Sequence, residues 1–163
     1  MTNIQRYTDE PFPSYRYLPF RGDMPHPRND PEGHSYGKEE DYLESFAPDD
    51  WPTCHPYLYG VDLFNYGYWW EAHDAWEAVW LAAGRDTQAG LFIQGLIQIA
   101  AGQLKRVLRD PAGIRVLTQS GLEKLSVAEG TFLGINIEEF KVSVLGSMVT
   151  KDADAPTIHL EFP

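Results

Sequence analysis

Two side chains in this sequence, His73 and Glu77, have the types and spacing for chemistry. They lie in Trp69-Trp70-Glu71-Ala72-His73-Asp74-Ala75-Trp76-Glu77-Ala78-Val79-Trp80, which holds four of the five tryptophans. Four positions are about one helical turn, so an imidazole and a carboxylate so placed can pair directly. Such a pair can act as a base with its orienting acid. It can also supply two ligands to a metal ion. Two ligands are too few for a metal site, and the further donors considered are His26 and His34, with a divalent metal as the implied cofactor. A metal-bound water with Glu77 as base would then give a metal-assisted hydrolase. The same spacing equally suits a structural His–Glu hydrogen bond that fixes the tryptophan packing. Either way the ionisable pair needs partners, because a buried lone charge is costly.

The element that must position the pair is a helix. No Pro or Gly interrupts Tyr68 to Ala83, and Ala, Glu and Leu favour helix. At about 100° per residue, Trp69, His73, Trp76 and Trp80 share a face, with Glu77 and Trp70 beside it. Glu71 and Asp74 fall on the far side with Ala75 and Ala78. Such a broadly apolar helix belongs in the centre of a bundle. The next helix, about Thr87 to Leu108, is apolar nearly all round in its middle. Gln94 and Gln98 lie together at one edge of that face. They either bond to neighbouring backbone or water, or face His73 and Glu77 and line the same polar pocket. Gly95, Ala100, Ala101 and Gly102 are small enough to let another helix approach.

Residues 1–56 hold nine of the twelve prolines, which rules out a long helix there. The aromatic residues Phe12, Tyr15, Tyr17 and Phe20 suit an extended arm lying on the helical body rather than a free linker. Within the arm, His26, Asp30 and His34 are spaced by four, but Pro27 and Pro31 break any helix between them. This is either a turn-rich stretch with solvated imidazoles or a segment folded over the tryptophan helix. A short helix is expected over Lys38 to Phe46. Tyr57 to Tyr66 reads as a helix joined through Gly67 to the tryptophan helix. Asp110-Pro111 opens a further helix, Gly130 and Gly134 break it, and Asn136 caps the last one, with Glu139 three residues on. Residues 156–163 alternate like a short extended strand.

Composition narrows the function classes. The net charge of −11 disfavours a phosphate backbone as partner, so no nucleic acid is expected. The single cysteine, Cys54, excludes an intrachain disulfide framework and a thiolate zinc cluster. No apolar run is long enough to span a bilayer, and Met1 to Arg6 lacks the apolar core of a signal peptide. A membrane partner is therefore not expected, and the cytoplasm is the expected location. There is no phosphate loop, nucleophile elbow or dinucleotide fingerprint.

Leu63-Phe64-Asn65-Tyr66-Gly67-Tyr68 followed by the tryptophan stretch through Trp80 resembles the central motif of a prokaryotic all-helical family catalogued as domain of unknown function 309. That motif is an aromatic-Asn-x-Gly turn followed by Glu-Ala-His, a second acid, then Glu and Trp. Gln94-Gly95-Leu96-Ile97-Gln98-Ile99-Ala100-Ala101 looks like the family's second motif. The second acid is often Glu in the family, and Asp74 stands here. The resemblance extends over about residues 57–150. It implies a helical bundle and directs attention to Glu71, His73, Asp74, Glu77 and Trp80. It implies no reaction.

The expected fold is all-α, a bundle of four to five helices. A Pro-rich arm over 1–56 packs on a helical domain over 57–150, and a short extended tail covers 151–163. The expected function is ligand or metal binding at an internal polar site around His73 and Glu77, with Glu71, Asp74, Trp80, Gln94 and Gln98 as further ligand-contacting residues. The alternatives are a non-catalytic interaction or dimerisation module, and the metal-assisted hydrolase. A small molecule and a second copy of the chain are the partners to test.

Overall fold

Three helices in this chain begin where a side chain takes up an otherwise free amide. Thr87 accepts from the Gly90 amide at 3.0 Å, Asp110 from Gly113 at 3.0 Å, and Asn136 from Glu139 at 3.1 Å. Each such cap stabilises its helix by about 1 kcal/mol. The computed structural model describes residues 3–163. It contains five α-helices: α1 His55–Asn65, α2 Trp69–Ala83, α3 Gln88–Val107, α4 Pro111–Leu125 and α5 Ile137–Ser147. A 3-10 turn, Pro48–Thr53, precedes α1. A two-stranded hairpin, β1 Thr131–Phe132 and β2 Ile135–Asn136, precedes α5. The architecture is an all-α bundle with a proline-containing N-terminal segment and a short C-terminal segment.

Residues 38–46, read from sequence as a short helix, are irregular. Gly37 at φ +73° breaks the chain before them. Only Phe46 of this stretch is buried, and short helices in water need a packed face to persist. In the sequence Gly130 and Gly134 signal only a break between helices, where the structure forms the hairpin. Its turn residues Leu133 and Gly134 take φ +50° and +79°. Two consecutive positive φ values suit the right-handed twist of a two-residue hairpin. Leu133 is held there by burial and by the Tyr57 hydroxyl, which donates to its carbonyl at 2.6 Å. Leu160 of the C-terminal segment adds a bridge to Ile135.

Tyr57, Val61, Phe64, Trp76, Val79, Phe92, Ile93, Leu96 and Ile99 are all completely shielded and form the centre of the core. α3 crosses α4 closely at Gly95 and Gly121. A Cβ built on either glycine would lie 2.8 Å from the other's carbonyl oxygen.

Both ends of the chain are fastened to α1. Asp62, fully buried, accepts from the Tyr7 amide at 2.7 Å, the Thr8 amide at 3.0 Å, the Thr8 hydroxyl at 2.7 Å and Arg6 Nε at 3.2 Å. Asn65 donates to the Ile158 carbonyl at 2.8 Å and accepts its amide at 2.6 Å. Further along the arm, Phe12 stacks on Tyr68 with ring centres 5.0 Å apart, and Arg16 donates to the Tyr66 carbonyl at 2.8 Å. The arm thereby covers the α1–α2 turn and runs beside α2.

Candidate functional site

Where the arm passes over α2, it brings His34 against Glu71. His34 Nε2 and Glu71 Oε2 lie 2.8 Å apart, and the two side chains are only 5% and 4% exposed. Glu71 Oε2 also accepts the Tyr17 amide at 3.0 Å. Its second oxygen, Oε1, is buried without a hydrogen-bond partner. Burial raises the carboxyl above its ordinary value, and His34 and the Tyr17 amide pull it partly back. On the other side of the ring, His34 Nδ1 lies 2.7 Å from Ser35 Oγ.

The backbone around the imidazole is fixed as well. The His34 amide donates to the Tyr15 hydroxyl at 3.2 Å, which itself donates to the Pro25 carbonyl at 2.7 Å. The Ser35 amide donates to the Pro27 carbonyl at 2.9 Å.

His34, Ser35 and Glu71 line a cleft of about 450 Å³ between the arm, α1 and α2. Arg28 reaches across it to Asp74, Nη2 to Oδ2, at 2.7 Å. That contact raises the affinity of the guanidinium for its proton. Arg28 Nε remains buried without an acceptor. Five carboxylates face the cleft (Glu10, Glu39, Asp41, Glu71 and Asp74), against the cations Arg28 and Lys38. Burial, reinforced by Glu10 and Asp74, raises the Asp41 carboxyl. The cleft therefore favours positive charge and offers one buried free acceptor and one buried free donor.

The pair anticipated from spacing is not the pair the fold makes. Glu77 is exposed and His73 half-buried, and among the described residues neither side chain makes a hydrogen bond. The buried side of α2 carries Trp69, Glu71, Ala72, Ala75, Trp76 and Val79. The alanines mark the closely packed face, whereas Trp70 and Trp80 sit half-buried at its edges. The face that α2 buries is therefore rotated from the one its tryptophans suggest, with Glu71 inside and His73 toward the edge.

The supposed metal set is likewise dispersed. His34 faces Glu71. His26 Nδ1 accepts the Arg28 and Asn29 amides at 3.3 and 3.2 Å, and its ring packs on Trp70. Among the described residues no three His, Cys, Asp or Glu side chains form a group able to hold a metal ion. Gln94 and Gln98 are half-buried and do not line the cleft. Gln98 Oε1 and Trp80 Nε1 are each buried without a partner. Of the expected ligand-contacting residues the cleft brings together Glu71 and Asp74, and of the expected metal donors it adds His34. Arg28, Ser35, Asp41 and Glu10 were not anticipated. The adjacency of His34 and Ser35 was their one visible signal.

The fold and cleft define a class: a small helical bundle whose acidic cleft is completed by an N-terminal arm. Residues 57–117 match the family model described as Domain of unknown function (DUF309). The chain is thus similar to that family from α1 into α4, a shorter span than the 57–150 read from the motifs. Glu71 and Asp74 lie inside the matched region, while Arg28, His34 and Ser35 lie on the arm outside it. No curated protein matches the chain. Among the described residues no helix is long and apolar enough to cross a membrane.

Proposed function

We propose that this protein binds a small, positively charged polar ligand in the cleft between the arm and α2. The observation that carries the reading is a pair of unpartnered buried atoms on residues lining one cleft, the acceptor Glu71 Oε1 and the donor Arg28 Nε. Leaving a buried polar atom unpaired costs about 1–3 kcal/mol, more if it is charged. A ligand presenting a donor to Glu71 and an acceptor to Arg28, as a carboxamide can, relieves both costs. The excess of carboxylates supplies the preference for a cation. In this reading residues 1–56 complete the site, residues 57–150 form the body, and residues 151–163 form the tail.

L-argininamide combines a carboxamide with two cationic groups and serves as the probe. Titration calorimetry is expected to show saturable binding to the full chain, with clear weakening in Glu71→Gln. Absence of binding at millimolar concentration, equivalent to about −4 kcal/mol, would overturn the reading, as would undiminished binding by Glu71→Gln.

A further inference from the structure

The contacts of His34 define a proton path. An ionised Glu71 has no proton to donate, so the hydrogen in the 2.8 Å contact resides on His34 Nε2. A neutral imidazole carries one such hydrogen, which leaves a lone pair on Nδ1. Ser35 Oγ, 2.7 Å from that nitrogen, must then be the donor. Hydroxyl, imidazole and carboxylate are therefore linked in the order that activates a serine, with the third group fixing the tautomer of the second. The ring is held at 5% exposure, whereas Ser35 is half-buried and lines the cleft, where a carbonyl can reach it.

We propose that Ser35, His34 and Glu71 form an acyl-transfer centre that hydrolyses esters or activated amides carrying a cationic group. The substrate class rests on the binding reading given above. Ser35 Oγ forms a bond to the acyl carbon as its proton passes to His34 Nδ1. The carbonyl electron pair moves onto oxygen, and the free Nε–H of Arg28, on a wall of the same cleft, is the donor available to that oxyanion. Collapse of the adduct breaks the bond to the leaving alcohol or amine, which takes the proton from Nδ1. Water then attacks the acyl-serine, gives its proton to Nδ1, and releases a carboxylic acid as the proton returns to Ser35. Glu71 Oε2 holds the imidazolium throughout and takes no part in the bond changes, so toward Ser35 it is a positioning residue, while its Oε1 is the oxygen that meets the ligand.

The test uses the full chain, a fluorophosphonate that phosphonylates activated serines, and benzoyl-arginine ethyl ester as the cationic substrate. The expected outcome is one phosphonyl adduct, mapped by mass spectrometry to Ser35, together with ester hydrolysis that falls by about 100-fold or more in Ser35→Ala. Glu71→Gln preserves the side chain's size and an oxygen facing His34. It is expected to slow both labelling and hydrolysis at least tenfold, and the Ser35 contact would then report on a wrongly oriented imidazole. Absence of an adduct on Ser35, or hydrolysis unchanged in Ser35→Ala, overturns the proposal. A wild-type chain that binds argininamide but gives no adduct refutes the acyl-transfer centre and leaves the binding reading standing. An adduct without argininamide binding refutes the cationic ligand instead.

Discussion

His34 and Glu71, 37 positions apart in the sequence, meet at 2.8 Å with both side chains almost wholly shielded. This contact ties the arm to α2 between two residues that line the cleft, so docking of the arm and completion of the site are one event.

The state of Glu71 should be visible in the pH dependence of stability. Burial raises its carboxyl in the folded chain, above the unfolded value of about 4.3. Between the unfolded and folded values the folded state binds more protons, so this group's contribution to stability falls as pH rises through that window. Glu71→Gln lacks the titration. Wild-type stability minus variant stability should therefore increase as pH is lowered from neutral toward the unfolded carboxylate range. Urea unfolding of both proteins at several pH values checks the sign, and a difference moving the other way contradicts it.

Asp62→Ala should free the start of the arm. The substitution strands two amides, a hydroxyl and Arg6 around a fully buried position. The expected loss is about 3 kcal/mol. Limited proteolysis should show faster cleavage near residues 6–16, with the helical content measured by circular dichroism retained.

Asn65→Ala should act on the other end. It removes the two hydrogen bonds to Ile158 and should cost about 2 kcal/mol. Hydrogen exchange should accelerate at the amides of Ile158 and Leu160, while α3 stays protected.

Two glycine substitutions should have opposite effects. A Cβ on Gly121 would lie 2.6 Å from Ile99 Cγ1 and 2.8 Å from the Gly95 carbonyl oxygen. The backbone oxygen has little room to move, and Gly121→Ala should cost about 1–3 kcal/mol. Gly146, exposed within α5, has nothing within 4 Å of an added Cβ. Gly146→Ala should stabilise the helix by about 0.5–1 kcal/mol. Thermal unfolding of the two variants side by side tests both.

The helices were readable because their signals are local. A stretch free of Pro and Gly defines α2, while Thr87, Asp110 and Asn136 mark the starts of α3, α4 and α5. The rotation of α2 was not readable in the same way. Tryptophans draw attention as hydrophobic mass, but close helix approach is set by small side chains such as Ala72 and Ala75. Leu133-Gly134 lacks the Asn-Gly or Asp-Gly pattern that announces a two-residue hairpin turn, and tertiary burial selects its conformation instead. The link between His34 and Glu71 depends on where an irregular arm crosses a helix, and no periodicity encodes that crossing. Asp62 passed unnoticed because its partners lie 54 to 56 residues away.

Asp62 and Asn65, three residues apart on α1, receive opposite ends of the chain across loops of about 55 and 93 residues. Closing such loops costs entropy before any contact repays it, and folding rates fall as contacts become less local. The helical hairpin of α1 and α2 is local and has no such delay. During synthesis the arm is made before Asp62 or Glu71 exists to receive it, so the first part of the site to be made is among the last to take its place.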